Sequence, residues 1–309
     1  MGCESKEYCD RQVRTMLKIK RKTLALSIPL LLGLMIGCSS EQPAAPTAVD
    51  GADEHRIVST TVAFTEIMDV LELDLVGIPT SSKPLPPRYD GITEVGFVKN
   101  PDLEVIKWLK PTEVLSVSTL EYDLKPIFGS ADINANFLNL DRVENMQQTI
   151  RTMGEKYDRP QQAADLAQKI DQKIGEIEKR IEGKEKPTVL ILLGIPGSYL
   201  AATEHSYLGD LARLCGGINI LAEQAVEYVA PNTEYLQEKN PDIILRAAHG
   251  MPEQVVEMFE QEFKENDIWK HFDAVKHDRV YDLEEEIFGT TGSLEVIKAL
   301  DEMMNLLYP

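Results

Sequence analysis

Two stretches of this chain repeat each other at a distance of 130 residues, PDLEVIKWLKPTEVLSVS at 101–118 and PNTEYLQEKNPDIILRAA at 231–248. In each, a proline is followed three positions later by a glutamate (Glu104, Glu234) and ten positions later by a second proline (Pro111, Pro241). Each then runs into an apolar segment of strand character. A helix followed by a strand, set twice at one spacing, predicts two equivalent units rather than one continuous layer.

The rest of the pattern agrees. Short apolar runs such as RIVST, DLVGIP and EVLSVS alternate with helical stretches, and TVLILLG after Lys186 has the unbroken apolar character of a buried parallel strand. Alternation of this kind predicts α/β architecture: two Rossmann-like lobes with mainly parallel sheets. Between them, residues 158–186 carry apolar side chains at helical spacing (Leu166, Ile170, Ile174, Ile177, Ile181). Asp158 is positioned to cap this helix, Pro160 suits its first turn, and Gly183 with Pro187 ends it. The expected plan is an N-terminal lobe over 55–157, one long and mostly solvated linker helix over 158–186, and a C-terminal lobe over 187–309. A ligand cleft is expected between the lobes.

The N-terminus reads as an address. Basic residues from Lys18 to Lys22 precede an uncharged run from Leu24 to Ile36, too short for a comfortable membrane span. The following Met35-Ile36-Gly37-Cys38 resembles the lipobox of bacterial lipoproteins, which implies a signal peptide over 1–37 and lipidation of Cys38. Residues 1–15 fit a signal poorly and suggest that translation starts at Met16. Residues 38–54, polar and rich in Pro and Ala, read as a flexible tether. The chain carries 32 basic and 51 acidic residues, a net charge of −19. That excess repels phosphate backbones, so nucleic acid is excluded as a partner. It also offers nothing to anionic lipid, so membrane attachment must be covalent or apolar. Beyond Cys38 the one cysteine is Cys215, which can form no internal disulfide.

Enzyme chemistry finds no foothold. GIPGS lacks the spacing of a GxGxxG or P-loop, and neither GxSxG nor HExxH occurs. The run Glu284-Glu285-Glu286 reads as a solvated patch. His249 stands out among five histidines because it follows the strand DIILRAA and precedes Gly-Met-Pro. Ligands in open α/β folds bind at that end of the strands, and a neutral imidazole there can ligate haem iron. A hydrogen-bonded structural histidine is the plainer alternative. Thr60, Thr61, Val62 and Ala63 lie where RIVS turns into a helix whose free amides suit a carboxylate, although a simple threonine cap fits equally. Tyr199, in the turn after TVLILLG, is a candidate to line the cleft.

A two-lobed lipoprotein joined by one helix resembles the helix-linked class of ABC-transporter substrate-binding proteins. In that class Glu104 and Glu234 match the paired glutamates that dock the permease. GIPGSYLAAT, PDIILRAAHGMPE, FKENDIWKHFDAVK and RVYDLEEEIFG, with RIVSTTVAFTE in the first lobe, more closely resemble the haem-binding lipoproteins of the iron-regulated surface determinant system (IsdE type). The resemblance implies haem as transported ligand, His249 as axial ligand and a propionate near Val62 and Ala63. It also implies surface proteins that donate haem upstream, an ABC permease with its ATPase downstream, and a monomer at the extracytoplasmic face of the cell membrane. One departure is clear. The family's first-lobe methionine falls in EVGFVKNPDLE, where this chain has Lys99. Lysine binds iron only when deprotonated, which costs about 4–5 kcal/mol at pH 7. Three arrangements therefore stand: five-coordinate or water-capped iron on His249 with Lys99 free to meet a propionate, Lys99 as second ligand, or Lys99 as a surface residue. With the methionine missing, a ferric siderophore or cobalamin-like ligand is the alternative cargo, and Arg88, Arg246 and Tyr228 are the residues that would hold it.

Overall fold

The structure, a computed structural model, describes residues 55–309. The signal peptide, Cys38 and the tether lie outside the described residues.

The first lobe opens with strand β1 (Ile57–Ser59) and helix α1 (Val62–Val70), and a small hairpin of β2 (Gly96–Phe97) and β3 (Asn100–Pro101) follows a long connection. Helix α2 (Leu103–Leu109), β4 (Glu113–Val117), α3 (Glu121–Ser130) and β5 (Ala135–Leu138) complete its sheet, in the parallel order β1-β4-β5. Its central strand β4 is buried along its whole length. DLVGIP does not form the strand its apolar character suggests. It meets β1 through a single bridge between Val58 and Gly77, held by Ser59 N–H to Gly77 O at 3.0 Å and Val76 N–H to Ile57 O at 2.9 Å. A side chain at Gly77 would strike Val95 and Leu109 at 2.7 and 2.8 Å, so only glycine lets the chain pass this close.

Helices α4 (Val143–Lys156) and α5 (Pro160–Ile181) leave the first lobe as an antiparallel pair. The start of α5 differs from expectation. Asp158 has φ 55° and serves as a left-handed corner, and Arg159 takes the cap position without a side-chain bond. The corner is tight: Arg159 N–H reaches Gly154 O at 2.6 Å, and a Cβ at Gly154 would lie 2.3 Å from the Cβ of Ala163. As expected, α5 is mostly solvated, with one face buried through Ala163, Leu166, Ala167, Ile170 and Ile177.

The second lobe comprises β6 (Thr188–Ile195), β7 (Ser198–Ala202), α6 (Tyr207–Leu214), β8 (Ile218–Asn219), β9 (Tyr228–Val229), α7 (Thr233–Lys239), β10 (Ile243–Ala248), α8 (Pro252–Glu265), α9 (Asp273–Lys276), β11 (Val280–Leu283) and α10 (Val296–Leu307). Its sheet runs β11-β10-β6-β7-β9, with β8 paired to β6. It is mixed: β10, β11 and β8 are parallel to their partners, whereas β7 and β9 are antiparallel. The cause is local. Only Pro196 and Gly197 separate β6 from β7, and Gly197 at φ 83° allows the tight reversal of a hairpin.

The internal repeat is carried into three dimensions residue for residue. α2 and α7 begin and end 130 positions apart, as do the starts of β4 and β10. Asp102 and Asn232 cap the two helices with their side chains, and Lys110 (φ 47°) and Asn240 (φ 43°) close both in the left-handed region.

One hydrophobic core runs through both lobes, from Phe64, Met68 and Leu115 by way of Met146 and Ile170 to Ile191, Leu211 and Met303. At the seam Asp210 of α6, 1% exposed, accepts from Val143 N–H at 2.9 Å and from Arg142 at 3.1 Å, so a second-lobe carboxylate caps a first-lobe helix.

Candidate ligand cleft

The end of β10 and the start of α8 share a cavity with Ser82–Pro84 of the first lobe. β10 lies between β6 and β11, so its end is held on both sides. His249 extends that ladder by one bond, its N–H donating to Gly194 O at 2.9 Å. The chain then reverses through two left-handed residues, Gly250 (φ 76°) and Met251 (φ 50°), before Pro252 starts α8. A non-glycine residue held there marks a loop fixed by its surroundings.

Glu285 supplies that fixation. Its carboxylate accepts Gly250 N–H at 2.6 Å, and its carbonyl accepts from Lys83 of the first lobe at 3.4 Å. Sequence reasoning set the run Glu284–Glu286 aside as a solvated patch. That holds for its exposed flanking members, but Glu285 between them is half-buried against the His249 loop. Its place one residue beyond the Glu284 that follows the β11 edge strand, at the same end of the sheet as His249, was the available signal. Lys83 carried none, because it lies in a loop without periodicity.

The imidazole of His249 has its pKa lowered, first by burial among protein atoms and then by the positive charge of Lys99, with Glu285 acting in the opposite sense. The side chain is thus neutral at pH 7 with a lone pair to offer, and it remains open to solvent on the cleft side. Lys99 sits at the tip of the β2–β3 hairpin, exposed and, among the described residues, without an ion-pair partner. A cavity of about 560 Å³ adjoins the His249 loop at Ala248 and Glu285; it is walled by Val255 and Phe259 of α8, Ser82–Pro84 from the first lobe, and the charged Arg246 and Asp282, and His249 itself does not line it.

Across the gap, Thr61 caps α1 by accepting Phe64 N–H at 3.3 Å. Thr60 is buried with its hydroxyl on Leu115 O at 2.9 Å. That leaves the N–H groups of Val62 and Ala63 without a protein acceptor among the described residues, which is the state of an amide pair open to an anion. Threonine capping and free amides therefore coexist at one helix end.

Tyr199 is engaged within its own lobe. Its ring packs on Phe259 at 5.6 Å and its hydroxyl donates to Glu262 at 3.0 Å; burial and that neighbouring carboxylate push its pKa up to about 12. It holds α8 to the sheet. Arg246 and Arg88 are committed as well, Arg246 to Asp282 at 2.7 and 2.5 Å and Arg88 to Asp74 at 2.8 Å. The Tyr228 hydroxyl is buried in the core. Glu104 and Glu234 both stand exposed in the first turn of their helices, at equivalent places in the two lobes.

A family model described as periplasmic binding protein matches residues 57–287, across both lobes and the helices between them. The chain belongs to that family. Membership makes it a binding protein with a transport role, not an enzyme. Among its relatives, the high-affinity heme uptake system protein IsdE of Staphylococcus aureus (strain bovine RF122 / ET3-1) is 44% identical over 276 residues, covering 89% of this chain and 94% of that one. The crystal structure of S. aureus IsdE complexed with heme superposes with a TM-score of 0.79 at 46% identity, covering 82% of this chain and 99% of the other. An ABC transporter substrate-binding protein from Listeria monocytogenes EGD-e is 57% identical with a TM-score of 0.80, covering 82% and 98%. The two-lobed α/β fold and the IsdE-type resemblance read from the sequence are thereby borne out for this periplasmic binding protein.

Proposed function

We propose that this protein captures haem in the cleft between its lobes and delivers it to an ABC permease for iron acquisition. The observation that carries the reading is His249, a neutral imidazole on a braced loop that adjoins the cavity. A single ligating histidine suits an iron whose equatorial positions a macrocycle already fills, whereas a bare ion needs several ligands. Among the described residues no group of three or more His, Cys, Asp and Glu converges.

His249 is the axial ligand in this reading. The amides of Val62 and Ala63, next to the cap residue Thr61, receive a propionate, and Lys83 and Lys99 supply positive charge at the rim. Lys99 is a charge at the rim and not a ligand in this reading, which leaves the iron five-coordinate or water-capped. Met251 is no substitute for the missing methionine, because it leaves the same short loop as His249 and cannot reach the opposite face of one macrocycle. The siderophore reading loses support with Arg246 and Arg88 paired to Asp282 and Asp74, and with the Tyr228 hydroxyl buried in the core.

Delivery follows from Glu104 and Glu234, one per lobe at equivalent sites, which meet basic side chains on the permease. Each exposed pair contributes only about 0.2–1 kcal/mol, so together they set register more than affinity. The anchor in this reading is lipid on Cys38 at the extracytoplasmic face of the membrane, with surface proteins as haem donors.

The test is an absorbance spectrum after mixing with haemin and gel filtration, with His249→Ala alongside. A stoichiometric Soret band that shifts or disappears in the variant is expected. No retained band in the unaltered protein sinks the haem reading and turns attention to siderophores.

A further inference from the structure

The second lobe's sheet has two faces, and at one end the core stops covering one of them. Along β6, Leu190 and Leu192 belong to the cluster packed under α8, whereas Ile191 and Leu193 belong to the core shared with the first lobe. Gly194 returns to the α8 face, where a Cβ would meet Val255 and Phe259 at 2.4 and 2.7 Å. Ile195 therefore falls on the shared-core face, yet it is 41% exposed. Strand β7 repeats the pattern. Tyr199 packs on Phe259 at the α8 face, and Leu200, opposite Leu193, lies on the other face and is 36% exposed.

His249 joins that face by register. Ala247 pairs with Leu193 and Ala248 with Gly194. The N–H of His249 then donates to Gly194 O at 2.9 Å, which sets His249 beside Ile195. Pairing stops there because the next bond needs an N–H from residue 196, a proline. Paired residues of neighbouring strands point to one side of a sheet. His249, Ile195 and Leu200 thus share a face where the core gives out. Scattered exposed apolar residues mean little. These two stand together, hydrogen-bonded in register to the one histidine that the haem reading makes a ligand.

We infer that Ile195 and Leu200 form the second lobe's apolar contact with the ligand, meeting it on the side from which His249 reaches the iron; this rests on the haem reading above. The ligand class that fits is a flat macrocycle with apolar faces. A hydrophilic ferric chelate gains nothing from covering an isoleucine and a leucine, whereas a porphyrin face does. The contact is with the ring and is indifferent to whether a metal sits at its centre.

The experiment uses the whole protein with two probes: metal-free protoporphyrin IX, followed by fluorescence titration, and haem, followed by its release to excess apomyoglobin. Ile195→Ser combined with Leu200→Ser should weaken protoporphyrin binding and speed haem release, each by about tenfold or more. Ile218→Ser is the control. Ile218 is 49% exposed on the same sheet but pairs with Thr188, at the opposite end of β6, and its loss should change neither value. The Soret band of the haem-loaded double variant should keep its position, since His249 still holds the iron. Leu200→Ser alone, on a stretch of β7 that β9 does not reach, gives the same comparison should the double variant fail to fold. The inference is overturned if the altered protein stays within about twofold of the unaltered one, or if Ile218→Ser costs as much. A displaced Soret band also overturns it, because the two residues would then act by positioning His249. An unaltered protein that takes up haem but not protoporphyrin overturns the inference and leaves the haem reading standing; one that takes up neither removes both.

Discussion

Glu285 accepts the backbone N–H of Gly250 at 2.6 Å, so the loop that presents His249 is held by a carboxylate from the neighbouring strand connection. Removing that brace frees two left-handed residues to relax. Glu285→Ala should speed haem loss by about tenfold or more, while Glu285→Gln, which keeps an oxygen for Gly250, should recover most of the difference. Stopped-flow transfer to a haem scavenger measures both.

The lowered pKa of His249 sets a pH dependence. The imidazole remains neutral down to a pH below its ordinary 6.5, so haem loading should be flat from pH 8 to the folded pKa and fall beneath it by about tenfold per unit as the proton competes with iron. Protein stability has the same sign: below 6.5 the unfolded chain takes up the proton first, and stability declines as pH falls. Equilibrium titrations across pH 5–8 check the first, and Lys99→Met should raise the folded pKa of His249 by removing a neighbouring positive charge.

Asp210 is buried at the seam with Val143, Arg142 and Arg213 as donors. Asp210→Ala leaves the first turn of α4 uncapped and should cost about 2 kcal/mol in urea unfolding. Since one core crosses both lobes, the transition should remain single. Two separable transitions would contradict the shared core.

Gly154 marks the closest approach of α4 and α5, with the Ala163 Cβ 2.3 Å from where its own would be. Gly154→Val should destabilise by about 1–3 kcal/mol or more by prising the helix pair apart. Gly175 on the same helix pair has open space around it, and Gly175→Ala should be neutral or stabilising in the same assay.

Much was legible in the residues. The periodicities, and a repeat spaced at 130 positions, determined two α/β lobes joined through helix, because a helix–strand unit needs only its own apolar pattern and caps to form. His249 was visible as a histidine at the end of a buried strand. Contacts between distant segments were another matter. Nothing near Tyr199 in the chain announced that Glu262, 63 residues away, takes its hydroxyl. The acidic run looked uniform until Gly250 singled out Glu285, 35 residues on. The shared core likewise depends on which strands and helices meet. Pattern along the chain reports what each segment can bury, and so it determined the fold class and the strand end at which His249 stands. Which polar groups are already satisfied by a distant partner was decided only when segments far apart in the chain packed together.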